Sequence, residues 1–270
     1  MIDVIKLFFS YGFITRALIV GVLTAVCASL LGVSLVLKRY SMIGDGLSHV
    51  GFGALAVAVA LNFTPLAVSL PVVLITAVLL LRLDDNNILK GDAAIALVST
   101  GALAVGVMII SMSKGMNSDV NSYMFGTILS IKNTDLILSV ITTITVFVLY
   151  IIFYNKIFTV TFDEGFARAK GIKTKYYNML IAILTASVIV VGMHIMGAML
   201  ISGLIIFPAL SSMRVFKSYR GVVISSAVLS VICFVGGIVL SVACDTPAGA
   251  SVIVVNLAVF AICYVIGMKR

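Results

Sequence analysis

Nine runs of mostly apolar residues, each close to the length that crosses a bilayer, follow one another along this 270-residue chain. They cover approximately 13–37, 43–62, 64–82, 93–112, 134–154, 177–193, 195–212, 219–243 and 250–268. An α-helix needs ~20 such residues to span the hydrocarbon core. In lipid the backbone must satisfy its own hydrogen bonds, so a spanning segment is a helix or part of a closed barrel. No run alternates apolar and polar residues with a period of two, which excludes a barrel. Composition agrees: 62% of residues are hydrophobic and 10% charged, against roughly 25% charged in a soluble domain. The expectation is an all-α, polytopic membrane helix bundle of eight to nine transmembrane helices, a single domain over residues 1–270. The first run, Phe13 to Leu37, is too long for the apolar core of a signal peptide, and no small-residue cleavage site follows it. It reads as a retained span. Two divisions are narrow: Asn62–Pro65, where the connection is minimal, and His194, where one long apolar stretch must be broken. Residues 119–131 are too short and polar to span, and read as a surface helix or a re-entrant piece.

A net charge of +8 invites a nucleic-acid reading, but the basic residues form no stripe between aromatics. They cluster between the apolar runs, as in membrane proteins whose cytoplasmic loops carry the Lys and Arg. With nine spans and a cytoplasmic C-terminus, 14 of the 18 basic residues lie inside. Only Lys6, Arg16, Lys114 and Lys132 are left outside, and the reverse orientation would put only those four inside. The charge pattern therefore selects an outer N-terminus and a cytoplasmic C-terminus, with membrane lipid and not nucleic acid as the chain's surroundings.

Chemistry concentrates in Ser41-Met-Ile-Gly-Asp-Gly-Leu-Ser-His49. Asp45 and His49 stand at i and i+4, one turn apart on one helix face. Both fall at the start of an apolar run, where a charged or titratable group is costly and by default functional. A carboxylate oxygen and an imidazole nitrogen suit Zn²⁺, Mn²⁺ or Fe²⁺. The structural alternative is that Asp45 caps the second helix and His49 hydrogen-bonds to it. His194, the other histidine, is a candidate third ligand or an interhelical hydrogen-bonder. Asp245, in the predicted outer loop before Pro247, is a candidate entrance charge or a turn residue. Cys27, Cys233, Cys244 and Cys263 contain no CxxC pair and read as small hydrophobes.

Residues 155–175 form the longest predicted cytoplasmic loop. Within it, Thr161-Phe-Asp-Glu-Gly-Phe-Ala-Arg-Ala-Lys-Gly171 reads as a short helix, capped by Thr161 or Asp163 and ended by Gly171. Phe162, Phe166 and Ala169 give it one apolar face, fit for a membrane surface or a partner's groove. Enzymatic signatures are missing. There is no G-x-x-x-x-G-K-[ST] phosphate loop, no HExxH and no GxSxG. Charges deep in several spans, as proton-coupled carriers need, and a repeated channel filter are missing too.

The Leu37-Lys-Arg-Tyr-Ser-Met-Ile-Gly-Asp-Gly-Leu-Ser-His49 block resembles the signature of the ABC-3 type metal permeases, the membrane subunits of zinc, manganese and iron ATP-binding-cassette transporters. Gly46 stands where that signature has alanine, a mild departure. Phe162 to Ile172 is similar to the family's cytoplasmic coupling segment. Gly91-Asp-Ala-Ala-Ile95, Tyr123-Met-Phe-Gly-Thr-Ile-Leu129 and Gly197 to Ala209 follow in the family's order. The resemblance covers essentially the whole chain.

It implies a type II importer-like fold in a bacterial plasma membrane, with no catalysis of its own. The implied partners are a second permease (the same chain or a relative), two cytoplasmic ATPase subunits and an extracellular solute-binding protein. Asp45 and His49 would line the path, and no cofactor would be held permanently, the metal being cargo. Phe162, Asp163, Glu164, Phe166, Ala167 and Gly171 would couple the chain to the ATPase. Zinc is favoured, because His194 would add a second imidazole. An iron-chelate or vitamin permease would need no such ligands, and an ATP-independent carrier would be favoured by an inverted repeat, which is not visible.

Overall fold

A computed structural model describes residues 12–85, 91–112 and 133–268. Among them are ten helices: α1 (Gly12–Leu37), α2 (Ile43–Ala60), α3 (Pro65–Asp85), α4 (Gly91–Met112), α5 (Asn133–Phe162), α6 (Glu164–Ala169), α7 (Thr174–Met196), α8 (Ala198–Val215), α9 (Tyr219–Cys244) and α10 (Ala248–Met268). All but α6 are long and apolar enough to cross a membrane, nine spans among the described residues. The predicted 119–131 segment and the Tyr123–Leu129 stretch lie outside the described residues.

The spans sort by burial. α1, α2, α7 and α8 are mostly enclosed, while α3, α4, α5, α9 and α10 are buried over less than a third of their span. The exposed faces are apolar, as Ile75, Leu97, Ile151 and Ile262 illustrate. A soluble monomer does not present apolar surface on this scale, and lipid is what it fits. α1 packs on α5, α7, α8 and α9, and α2 packs most extensively on α4. Without a hydrophobic drive between helices in lipid, close packing and interhelical hydrogen bonds must hold them together. Both occur. A methyl group on Gly53 would stand 2.5 Å from the Ala102 carbonyl oxygen, so α2 and α4 meet backbone to backbone. Between α9 and α1, Ser230 Oγ donates to the Ala25 carbonyl at 2.8 Å and Ser226 Oγ to that of Ser29 at 3.4 Å.

Tight turns join several spans. After α1, Arg39 adopts a left-handed φ of 62°, with Tyr40 N–H bonded to Leu35 O and Arg39 N–H to Val36 O. This is the Schellman arrangement, which satisfies the last carbonyls of a helix. Asn62 and Gly171 repeat it after α2 and α6. Asp245, the candidate entrance charge, also takes a left-handed φ of 53° and closes α9.

Two sequence expectations need correction. The break placed at His194 falls instead at Gly197, whose φ of 89° and ψ of 154° lie in a region open essentially to glycine alone. His194 sits inside the last turn of α7. The fifth span does not stop at residue 154, for α5 continues to Phe162. Asn155 and Lys156 interrupt the apolar run but face outward, while Phe158 and Phe162 carry the helix on against Tyr219 at centroid distances of 4.8 and 6.2 Å.

Candidate functional site

α2 starts one short turn after α1. Met42 occupies the position before the helix and makes no side-chain capping bond, so Asp45 is not the cap and stands inside the first turn. His49 Nε2 lies 3.5 Å from Asp45 Oδ2, with the side chains 25% and 43% exposed respectively. Their neighbours Gly44, Gly46, Leu47, Ser48 and Val50 are buried. The pair is therefore a polar opening in an otherwise enclosed helix start. Ser48 Oγ donates to the Gly44 carbonyl at 2.8 Å and lies 3.4 Å from Ser202 Oγ of α8, which also interacts with the Asp45 carboxylate. Chemically, one chain presents a carboxylate oxygen and an imidazole nitrogen side by side, both partly exposed.

His194 is brought near this level but not into a joint site. Met193, its neighbour, packs on Gly51, two residues beyond His49. Among the described residues no three His, Cys, Asp or Glu side chains form a group able to hold a metal. Asp245 lies exposed at the end of α9. The cysteines are free: Cys27, Cys233 and Cys263 are buried and Cys244 is exposed.

The 162–172 segment folds as a compact corner. Asp163, in an extended conformation, accepts a hydrogen bond from Phe166 N–H at 2.9 Å and caps α6. Thr161, the alternative cap, is buried within α5. Gly171 turns the chain with a φ of 77°. Phe162 and Phe166 are exposed, leaving an aromatic pair on the surface of the corner. Ala169 lies at the surface, whereas Ala167 points inward to Val160 and Tyr177.

Glu164 carries a network the sequence did not disclose. Its Oε1 accepts from Lys38 Nζ of the α1 end at 2.7 Å and from Asn178 Nδ2 of α7 at 2.7 Å. Lys38 Nζ also donates to Asn178 Oδ1 at 2.5 Å, closing a triangle. Arg168 adds a bond to Oε2 at 3.2 Å. Burial alone pushes the Glu164 carboxyl up, but bonds from Lys38 and Asn178 and the charges of Lys38 and Arg168 outweigh it and hold it below the ordinary glutamate value. In the sequence Lys38 counts only among the basic residues that set direction, and Asn178 is not singled out. The available signal was an asparagine one turn inside a span opposite a conspicuous acidic residue.

An all-helical bundle with nine candidate spans among the described residues, the Asp45–His49 opening on an inner helix and a short capped corner between α5 and α7 fits a polytopic membrane protein of the transporter class. The chain belongs to the ABC 3 transport family, whose model matches residues 10–267. It is a multi-pass membrane subunit of an ATP-binding-cassette transporter, a transport component and not an enzyme.

Among its relatives, the high-affinity zinc uptake system membrane protein ZnuB of Haemophilus influenzae is 29% identical over 90% of this chain and 94% of its own. The manganese import system permease protein ScaB of Streptococcus gordonii is 27% identical over 96% of this chain and 93% of its own. The solved structure of PsaBC from Streptococcus pneumoniae in complex with Fab matches with a TM-score of 0.87, 26% identity, and coverage of 98% of this chain and 95% of that one.

Proposed function

We propose that this chain is the permease of an importer that takes up a divalent metal ion by alternating access, with zinc the favoured cargo. The observation that carries the reading is the Asp45–His49 pair, 3.5 Å apart and half-open on an otherwise buried helix start. The relatives support it, being named for zinc uptake and manganese import. Each chain offers two ligands, too few to trap an ion, as conduction requires. A second permease would double the set across the path and bring a second imidazole, which favours zinc over oxygen-preferring manganese, while His194 stands outside the pair.

In this reading the N-terminus is outside and the C-terminus cytoplasmic, in a bacterial plasma membrane. An extracellular binding protein delivers the ion past the end of α9, where Asp245 attracts it. Two cytoplasmic ATPase subunits dock against the 155–175 segment, with Phe162 and Phe166 entering a groove and Asp163, Glu164, Ala167 and Gly171 shaping the corner. Closure of the ATPase pair moves that corner and reorients the spans.

The test is growth of a permease-deficient strain complemented with this chain, its ATPase and its binding protein under limiting zinc, manganese or iron. Wild type should rescue zinc limitation, while Asp45→Ala and His49→Ala, expressed at wild-type levels, should not. Full rescue by both variants under every limitation would remove these residues from the path. Rescue confined to manganese or iron would reassign the cargo.

A further inference from the structure

Glu164 belongs to the corner proposed to meet the ATPase, yet its carboxylate turns inward. It is held by Lys38 and Asn178 in a closed triangle of 2.5–2.7 Å hydrogen bonds. The Lys38 side chain is only 8% exposed. A lysine so enclosed is costly unless paired and hydrogen-bonded, so the three groups hold together as a unit. Lys38 is also the last residue before the Schellman turn, which the Leu35–Tyr40 and Val36–Arg39 backbone bonds keep rigid. Ile43 N–H bonds back to Tyr40 O, and α2 begins there with Asp45 in its first turn. The chain path from Lys38 to Asp45 therefore contains no slack loop.

Resting on the functional reading above, we propose that Lys38 and Glu164 are positioning residues that transmit ATPase-driven movement of α6 through the α1–α2 turn to the Asp45–His49 pair. When α6 is displaced, the triangle carries the end of α1 with it. The rigid turn then passes the displacement to the first turn of α2. The bond from Arg168 to Glu164 keeps the carboxylate aligned with its own helix, so that α6 and Lys38 move as one. Asn178 ties the same point to α7, which lets α1 and α7 respond together.

The test uses the chain assembled with its ATPase and binding protein in proteoliposomes. A cysteine replaces Met42, which is 51% exposed in the α1–α2 turn, in a Cys244→Ser background. The maleimide labelling rate is read without nucleotide and with ATP trapped by vanadate. The rate should change with nucleotide when Lys38 and Glu164 are intact. It should become nucleotide-insensitive in Lys38→Met, which lies outside the docking corner and should still bind the ATPase and hydrolyse ATP, and Glu164→Gln should lose the response as well. The exchanged pair Lys38→Glu with Glu164→Lys should restore the response.

Zn²⁺ uptake per ATP hydrolysed should fall about fivefold or more in the single variants, the low end of an ordinary coupling free energy. An unchanged nucleotide response in the variants, or none with the pair intact, overturns the transmission role. Loss of ATPase binding together with uptake also overturns it, because the pair then only folds the corner. Glu164→Gln, which keeps the side-chain shape, carries the test alone if Lys38→Met fails to accumulate. Failure of the functional reading looks different: the labelling response would persist with no uptake of Zn²⁺, Mn²⁺ or Fe²⁺.

Discussion

At Gly46, a methyl group would stand 2.5 Å from Ile95 Cγ2 on α4. That carbon is fixed to the Ile95 Cβ and cannot swing away alone. Overpacking of this kind costs about 1–3 kcal/mol, against a gain of about 1 kcal/mol for replacing glycine inside a helix. Gly46→Ala should therefore lower the melting temperature of the detergent-purified protein, and should raise it in an Ile95→Ala background. A fall of equal size in both backgrounds would show that the contact is not what requires glycine. The residue scale is also where sequence reading was sharpest and where it stopped. Asp45 and His49 were legible as a pair, because an i,i+4 spacing places them on one helix face, and the structure brings them to 3.5 Å. Gly46 read as a mild departure, because its tolerance depends on Ile95, a contact between helices that no local pattern encodes. Lys38 was legible only as a charge that sets direction.

Between elements, the buried break between α7 and α8 rests on one residue. Ile195, Met196 and Ala198 around it are 7% exposed or less, and irregular backbone at such depth is tolerated only where protein encloses it. Gly197→Ala should cost about 1–3 kcal/mol from its backbone conformation alone, read as a lowered melting temperature. Hydropathy could not place this break, since apolar residues lie on both sides, and the lone histidine drew the boundary three residues early.

The α6 anchor carries a pH signature. The native Glu164 carboxyl is held below the ordinary glutamate value, so the unfolded chain binds the proton more readily than the folded one. The anchor's stabilisation is fully present above the unfolded pKa and is lost as pH falls through the lower native value. The melting-temperature gap between wild type and Glu164→Gln should be constant near neutrality and shrink on acidification. A gap that is flat across that range would mean the carboxylate's charge contributes nothing to holding the corner.

For the molecule as a whole, span number was legible because bilayer thickness acts along the chain and needs no knowledge of packing, while the sidedness of Lys and Arg gives an expected direction. Which helix lies inside the bundle was not legible. α1, α2 and α7 are enclosed and α9 and α10 are not, yet all five are apolar enough to span, so hydropathy does not tell a lipid-facing helix from a buried one. The outer-N, inner-C orientation is a separate proposition with its own test. Cys244 is exposed at the end of α9 beside Asp245, and the other three cysteines are buried. A membrane-impermeant maleimide should label intact cells at Cys244, and Cys244→Ser should abolish the signal. In that background a cysteine at Lys173, exposed beside α6, should react only after permeabilisation. The opposite pattern would invert the bundle, and place the α6 corner, with its aromatic pair, on the face where a binding protein and not an ATPase would meet it.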